Sequence, residues 1–236
     1  MVAGALVIAY TIFYLVGFGS ALIASAPLAG IIPVAKVVPL LALLDCVSSV
    51  TRGWKARQFI AAHELKRLVP GMLVGQSLGV VLLSRLPAAW MAILLGCFVS
   101  CYGVRGLIGR GPSVVPLHFG AIPHGLLGGF LGGLFGSGGF MYASYLERRL
   151  EDRNAYRATQ AVLIALSTAW RVGLCFAIGL IDRRLLITAL VLLPVVLIGG
   201  GLGKRIDLRL SREKITLVLN ILLTVSGIAL TLRFLR

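Results

Sequence analysis

Apolar segments of about 20 residues follow one another along the whole chain, separated by short polar and basic loops. Segments of this length can cross a bilayer as helices, so the pattern predicts an all-α integral membrane protein. Two segments are too short to cross alone, and each directly follows a Phe-Gly-Ser motif, as the second leg of a broken helix would. The predicted helices are 2–16, 20–32, 34–53, 67–84, 88–108, 117–135, 138–146, 157–181, 184–203 and 213–232.

The polar motifs of this apolar chain occur twice, in the same order and 117 to 124 residues apart. Phe18-Gly19-Ser20 returns as Phe135-Gly136-Ser137, and the segment from Ser48 to Arg52 returns as the segment from Ser167 to Arg171. Prolines and glycines further along each half repeat at a constant offset. The repetition indicates that one membrane-embedded unit was duplicated.

The duplication predicts two homologous membrane repeats, residues 1–109 and 117–236, joined by a Gly- and Pro-bearing linker at 110–116. Matching halves with Gly-interrupted hydrophobic segments are typical of secondary transporters, in which the substrate site lies between the repeats.

Composition excludes a soluble domain, because 58% of the residues are hydrophobic, 13% are charged and the mean hydropathy is +0.98. No loop is long enough for a catalytic domain, so we expect no enzyme activity and no cofactor. The net charge of +15 comes from short loops, where it orients the chain and meets lipid headgroups rather than nucleic acid. Cys97 and Cys101 share a helix face without the histidine or carboxylate partners of a metal site, and all four cysteines are predicted to be small packing residues.

Loop charges bear on how the broken helices run. If each broken helix crossed the membrane once, the loops would hold ten basic residues on one side and eleven on the other. If each returns to its own side, the loops at 54–67, 105–116, 147–157 and 204–214 share one face and hold 15, against six opposite. The asymmetry favours re-entrant elements. Each half then has about three true crossings, an odd number, so the halves are predicted to be inverted repeats.

Each predicted break leaves backbone N–H groups in mid-membrane without helical partners. Gly19 and Gly136 lie at the breaks, and Ser20 and Ser137 occupy the expected N-cap positions of the returning legs. The free N–H groups and the helix dipole favour an anion there, and Gly138 allows a close approach. The alternative is that such glycines only allow tight helix packing.

Arg171 lies deep within an apolar segment, with Ser167 and Thr168 on the same helix face. An intramembrane arginine needs a partner, and an oxyanion fits this group of donors. Arg52, with Ser48 and Ser49, occupies the matching place in half one, closer to a membrane surface. A structural arginine that bridges helices or snorkels outward is the alternative.

Asp45 is the one carboxylate well inside an apolar segment, and Ile164 occupies the matching place in half two. Burial could raise the pKa of Asp45 and make it a proton-coupling group, or Asp45 could neutralise a nearby arginine. Gln76, Gln160 and Asn220 are further candidate polar contacts.

These motifs resemble those of the TauE/SafE family of bacterial membrane proteins, often called sulfite exporters. The similarity rests on the run from Gly17 to Ser20 with Pro27, on the run from Gly132 to Gly139, and on a Gly-xxx-Leu-Gly run late in both halves. It implies a multi-pass permease of the bacterial inner membrane that exports small sulfur oxyanions or organosulfonates.

We therefore expect a secondary transporter of small anions, most of all sulfite or organosulfonates, that works by alternating access. An anion channel and a non-transporting membrane scaffold are the alternatives. The expected partners are the small anionic substrate, membrane lipid and, as one option, a second copy of the chain in a homodimer.

Overall fold

A computed structural model describes residues 2–16, 19–29, 32–55, 57–108 and 120–206, together with residues 217, 220–221, 224–225, 227–228 and 231–232. Within these ranges the secondary structure is helical, without strands, and a short 3₁₀ turn at Arg57–Phe59 follows the third helix. The helices are α1 (Val2–Val16), α2 (Ser20–Ala29), α3 (Val34–Lys55), α4 (Ala62–Arg85), α5 (Ala88–Leu107), α6 (Ala121–Phe135), α7 (Gly139–Arg149), α8 (Arg153–Ala177) and α9 (Arg183–Ile206).

The predicted all-α class is confirmed, and most predicted helix bounds agree with the observed ones to within a few residues. The first turn of α4 extends back to Ala62 and that of α8 back to Arg153, so both helices include basic residues that were predicted to lie in loops. Asp152 caps α8 by accepting from the backbone N–H groups of Asn154 and Ala155. The predicted linker 110–116 and most of the predicted helix 213–232 lie outside the described residues.

The outer surface of the bundle is apolar, as lipid contact requires. Large side chains are strongly exposed there, including Leu190 at 70% and Phe176 at 68%. Three of the described helices, α4, α8 and α9, are long and apolar enough to cross a membrane. The buried polar residues instead face the interior of the bundle.

Glycines let α4 pack directly on α6. A Cβ atom on Gly71 would lie 3.0 Å from the backbone N of Leu126, one on Gly75 would lie 2.9 Å from that of Phe130, and Gly79 faces Leu134. The numbers of the contacting residues increase together along the two helices, so α4 and α6 run parallel. Close backbone approach of this kind is what small residues at four-residue spacing permit.

The same arrangement recurs between α1 and α9. Gly199 lies against Val7 and Tyr10, and Gly203 lies against Thr11 and Tyr14, so these two helices also run parallel. The first leg of each broken helix thus packs on the second long helix of the other predicted repeat: α1 packs on α9, and α6 packs on α4.

Helices α3 and α8, which carry the repeated serine-to-arginine motifs, cross antiparallel at the centre. Asp45 faces Arg171, while beyond the end of α3 the backbone N–H of Ala61, just before α4, donates to Thr159 Oγ1 near the start of α8 at 2.9 Å. The legs α6 and α7 also run antiparallel, because Gly128 faces Tyr142 and the rings of His124 and Tyr145 are 5.3 Å apart. Both outer ends of this hairpin therefore lie near the start of α4.

Candidate functional site

Both predicted helix breaks are present, and each contains a glycine with positive φ. Gly19 has φ of 101° and Gly136 has φ of 73°, and residues other than glycine rarely adopt a backbone conformation with positive φ. Gly136 ends α6 as a left-handed C-cap, and its N–H donates to the carbonyl of Gly132 at 2.9 Å. Phe18, the first residue of the half-one motif, lies outside the described residues.

The two breaks meet at the centre of the bundle. A Cβ atom on Gly136 would lie 2.7 Å from the Cβ of Ala21 in α2 and 3.0 Å from Nη1 of Arg171 in α8. The duplicated motifs, 117 residues apart in sequence, thus lie beside each other and beside the intramembrane arginine.

Arg171 is almost fully buried, with 2% of its surface exposed. Its Nη1 donates to the carbonyl oxygen of Gly132 at 2.7 Å, and its Nη2 lies 3.6 Å from Oδ2 of Asp45. Within the described structure, its Nε has no hydrogen-bond partner. The guanidinium therefore retains an unused donor although it lies away from water.

Asp45 is as deeply buried as Arg171, and its Oδ1 accepts two hydroxyl hydrogen bonds. Tyr10 donates at 2.8 Å from α1 and Ser20 donates at 2.7 Å from the start of α2. The hydroxyl groups nearest to Asp45 in the sequence are those of Ser48 and Ser49 on its own helix. The hydroxyl partners in these bonds instead come from the broken helix of the same half, and nothing in the uniformly apolar sequence of α1 distinguished Tyr10.

Ser167 and Gln76 bond to each other in both directions, which fixes α8 to α4. Ser167 Oγ donates to Gln76 Oε1 at 2.9 Å, and Gln76 Nε2 donates to the carbonyl of Ser167 at 2.7 Å. Thr168 Oγ1 donates to the carbonyl of Ile164 within its own helix, at 2.8 Å. Both predicted hydroxyl residues therefore lie beside Arg171 with their hydrogens engaged by other acceptors.

The expected capping by the serines of the breaks is not observed. Ser20 is the first residue of α2 and donates to Asp45. The N-cap position of α7 is occupied by Gly138, without a side-chain cap, and Ser137 Oγ is buried with no partner among the described residues. The two serines differ because the repeated motifs differ at one position. The counterpart of Asp45 in the second motif is Ile164, whose side chain cannot accept a hydrogen bond from Ser137.

The half-one counterparts of the arginine motif lie on α3. Ser48 is half-buried, and Ser49 is fully buried with an Oγ that makes no hydrogen bond to the part of the chain described. The side chain of Arg52 lies outside the described residues.

A small cavity of about 20 Å³ lies at this centre, room for about one water molecule. Gly19 and Gly136 line it from the two breaks, together with Asp45, Tyr142 and Arg171. The Tyr142 hydroxyl is buried without a hydrogen-bond partner in the described structure. Unpaired donors therefore surround a space that is polar on several sides.

Gly138 also lines the cavity but serves packing. A Cβ atom there would overlap the carbonyl of Gly128 and lie 3.1 Å from the Cα of Gly132. Gly132 differs, because its own added Cβ would meet Gly138 at 3.6 Å and Ser167 Oγ at 3.8 Å, which are ordinary contacts.

Ionic contacts connect the two predicted repeats at both ends of the bundle. At the end where α4 begins, buried Glu64 accepts from Tyr145 OH at 2.8 Å and from Arg149 Nε at 3.1 Å. At the opposite end, Lys36 pairs with Asp182. This pairing, together with a hydrogen bond from the N–H of Leu185, lowers the pKa of the Asp182 carboxyl below its ordinary value of 3.8. The Asp182 carboxyl therefore stays charged at neutral pH.

A polar pair buried where two broken helices meet, inside a bundle with an apolar surface, is the arrangement of a membrane transporter. The chain belongs to the TauE/SafE sulfite exporter family, whose model, "Sulfite exporter TauE/SafE", matches residues 2–230. The resemblance inferred from the motifs is confirmed.

A similar curated protein is the "Probable inner membrane transporter protein TsaS" of Comamonas testosteroni. It is 29% identical over 195 residues, which cover 81% of this chain and 81% of that protein. No solved structure matches the chain.

Proposed function

We propose that this protein is a secondary transporter of the bacterial inner membrane that binds one small anion at Arg171 and moves it by alternating access. The observation that carries the proposal is the placement of Arg171: it is buried beside both helix breaks, it has an unused donor, and a carboxylate occupies its charged face. An intramembrane arginine with these surroundings is suited to a substrate anion.

The proposed topology is a pair of inverted repeats, each with a re-entrant broken helix. The antiparallel crossing of α3 and α8 supports it, as does the way in which α1 packs on α9 and α6 packs on α4. Both ends of the α6–α7 hairpin lie at the end of the bundle where α4 begins, and the 15-to-6 distribution of basic loop residues makes that end cytoplasmic.

In the proposed cycle, the anion replaces Asp45 as the partner of Arg171. Without substrate, the carboxylate neutralises the guanidinium and prevents an unpaired buried charge. When the anion binds, Asp45 keeps the hydroxyl bonds from Tyr10 and Ser20 while it gives up the guanidinium. The donors that have no partner, Arg171 Nε and Tyr142 OH, are then available to anion oxygens.

The size of the cavity supports a carrier over an open pore. About 20 Å³ accommodates one water molecule, so the site must widen before a sulfur oxyanion enters. The contacts of Glu64 at one end and of Lys36 at the other close the bundle on both sides of the site. If the contacts of Glu64 break while those of Lys36 remain, or the reverse, the site opens to one side of the membrane at a time.

Sulfite and organosulfonates are the proposed substrates, with export as the direction. Both present oxygens that can accept paired hydrogen bonds from a guanidinium, which an ammonium cannot offer in the same geometry. Membership of a family described as sulfite exporters supports this choice.

Counterflow in proteoliposomes tests the carrier function. Vesicles preloaded with unlabelled sulfite should accumulate labelled sulfite transiently, with saturation, and a thermal-shift series with sulfite, sulfate, thiosulfate, sulfoacetate and taurine should rank the anions. Anion flux without counterflow would mark a channel. A folded protein that neither binds nor moves any of these anions would mark a scaffold.

A further inference from the structure

A second and much larger cavity, of about 620 Å³, lies at the end of the bundle where α4 and α6 begin and α7 ends. We call it the vestibule. Four of its lining side chains are cationic: Lys66, Arg67, Arg148 and Arg149. They come from α4 and α7, which belong to different predicted repeats. The Arg67 side chain is 56% exposed and the Arg149 side chain is 50% exposed.

One carboxylate lies behind this wall. Glu64, 1% exposed, accepts from Arg149 and lies 3.7 Å from Nη1 of Arg67. It offsets one of the four positive charges, so the lining remains net cationic. The interaction between Glu64 and Arg149 also holds that guanidinium in place at the edge of the vestibule.

The other wall of the vestibule is apolar and faces outward. It is formed by Pro70, Ala121 and Ile122, and Ile122 is 65% exposed. From Pro70 an exposed apolar stripe continues along α4 at four-residue spacing, through Val74 at 56% exposure and Leu78 at 57%. The cationic pocket therefore opens onto a surface that lies in the hydrocarbon of the bilayer.

We propose that the vestibule binds the phosphate headgroup of an anionic membrane phospholipid, with an acyl chain lying along the Pro70–Val74–Leu78 stripe. Cationic pockets at helix ends are suited to phosphate, and the apolar stripe is suited to a hydrocarbon chain. A small free oxyanion shares the headgroup chemistry. It would fill little of 620 Å³ and would leave the stripe unused.

The test compares lipid retention by three purified proteins: the wild type, the double variant Lys66→Gln/Arg148→Gln, and the control Arg85→Gln/Arg183→Gln. The test pair leaves the contacts of Glu64 intact. The control pair removes the same charge at exposed positions on the ends of α4 and α9 that lie away from the vestibule. Native mass spectrometry counts bound phosphatidylglycerol, and thermal unfolding is measured with phosphatidylglycerol or phosphatidylcholine added to detergent micelles.

The wild type and the control should retain phosphatidylglycerol and be stabilised by it. The Lys66→Gln/Arg148→Gln variant should bind it roughly thirtyfold more weakly, from about one kcal/mol per basic residue. Equal stabilisation of all three proteins, or no retained lipid in the wild type, would overturn the proposal.

A second arm replaces lipid with inorganic phosphate or sulfite in lipid-free micelles. If either anion stabilises the wild type as much as phosphatidylglycerol does, and the Lys66→Gln/Arg148→Gln variant abolishes the effect, the vestibule binds soluble anions and the lipid proposal fails. The single variants Lys66→Gln and Arg148→Gln provide the comparison if the double variant does not fold.

Discussion

Arg171 Nη2 lies 3.6 Å from Asp45 Oδ2, and both side chains are 3% exposed. The two residues lie on α8 and α3, which carry the repeated motifs of the sequence, but they do not occupy corresponding positions in those motifs. Arg171 corresponds to Arg52 in half one, whereas Asp45 corresponds to Ile164 in half two. The central charge pair therefore connects the halves and makes them chemically different at the site where they meet.

Asp45→Asn should bind sulfite at least about tenfold more tightly than the wild type, because the variant removes a carboxylate that competes with the anion for Arg171. Without anion the variant should be less stable, since an unpaired buried charge costs about 3–5 kcal/mol. Thermal unfolding across a sulfite series measures both effects. If sulfite raises the unfolding temperature of the variant and of the wild type equally, Asp45 and the substrate do not compete for Arg171.

Gly132→Ala should weaken anion binding while leaving the fold intact. The added methyl group makes only ordinary contacts, with Gly138 and Ser167, but it enters a cavity of about 20 Å³. Alanine also favours the helix by up to about 1 kcal/mol. Calorimetry should therefore find lower sulfite affinity in a protein that is at least as stable as the wild type.

Gly129→Ala is the matched control one turn away. Its Cβ would overlap the carbonyl of Met72 and lie 2.9 Å from the backbone N of Gln76, so it should destabilise the contact between α4 and α6. If Gly132→Ala binds sulfite normally, the cavity is not the anion site.

Much of this architecture could be predicted from the sequence. The broken helices, their glycines and the depth of Arg171 follow from hydrophobic length and from duplicated motifs, which report on single segments. Partners across helices do not follow from such patterns. The role of Tyr10 was not predicted, because the sequence pattern does not distinguish one tyrosine in an apolar helix from its neighbours. Ser20 was predicted to cap a helix, because local spacing does not show that Asp45 of another helix lies opposite it.

The role of Gly138 shows the same limit. A glycine after a break suggests close approach to a ligand, but the close neighbour is the backbone of Gly128. Sequence spacing cannot separate these two uses of glycine, because both require the absence of a side chain. For the same reason, a bulky residue at Gly138 would report on packing rather than on binding.

Breaking either ionic closure should open the site toward that end. We place a cysteine at Ile164, which lines the cavity, in a background without the four native cysteines. Glu64→Gln should increase its labelling by a charged thiol reagent from the end where α4 begins, and Asp182→Asn should increase it from the opposite end. If both variants increase labelling from the same side, these contacts are not opposing gates.

Inverted, re-entrant halves predict which loops share a side of the membrane. Cysteines replacing Lys66 and Arg153 should label from one face of oriented vesicles, and cysteines replacing Arg85 and Arg183 from the other. Lys66 and Arg153 labelling from opposite faces would exclude a re-entrant α6–α7 hairpin.

The most direct test of the central claim is the sulfite affinity of Arg171→Lys, measured by calorimetry beside the wild type. Lysine keeps the positive charge next to Asp45 but loses the paired donors of the guanidinium. If Arg171 holds the anion, the loss of one charge-assisted contact should cost about 1.5–3 kcal/mol, or one to two orders of magnitude in affinity. The double variant Asp45→Asn/Arg171→Gln, which removes both buried charges, should fold and bind no sulfite. If folded Arg171→Lys and the folded double variant both bind sulfite with the affinity of the wild type, Arg171 does not bind the anion and is a structural residue.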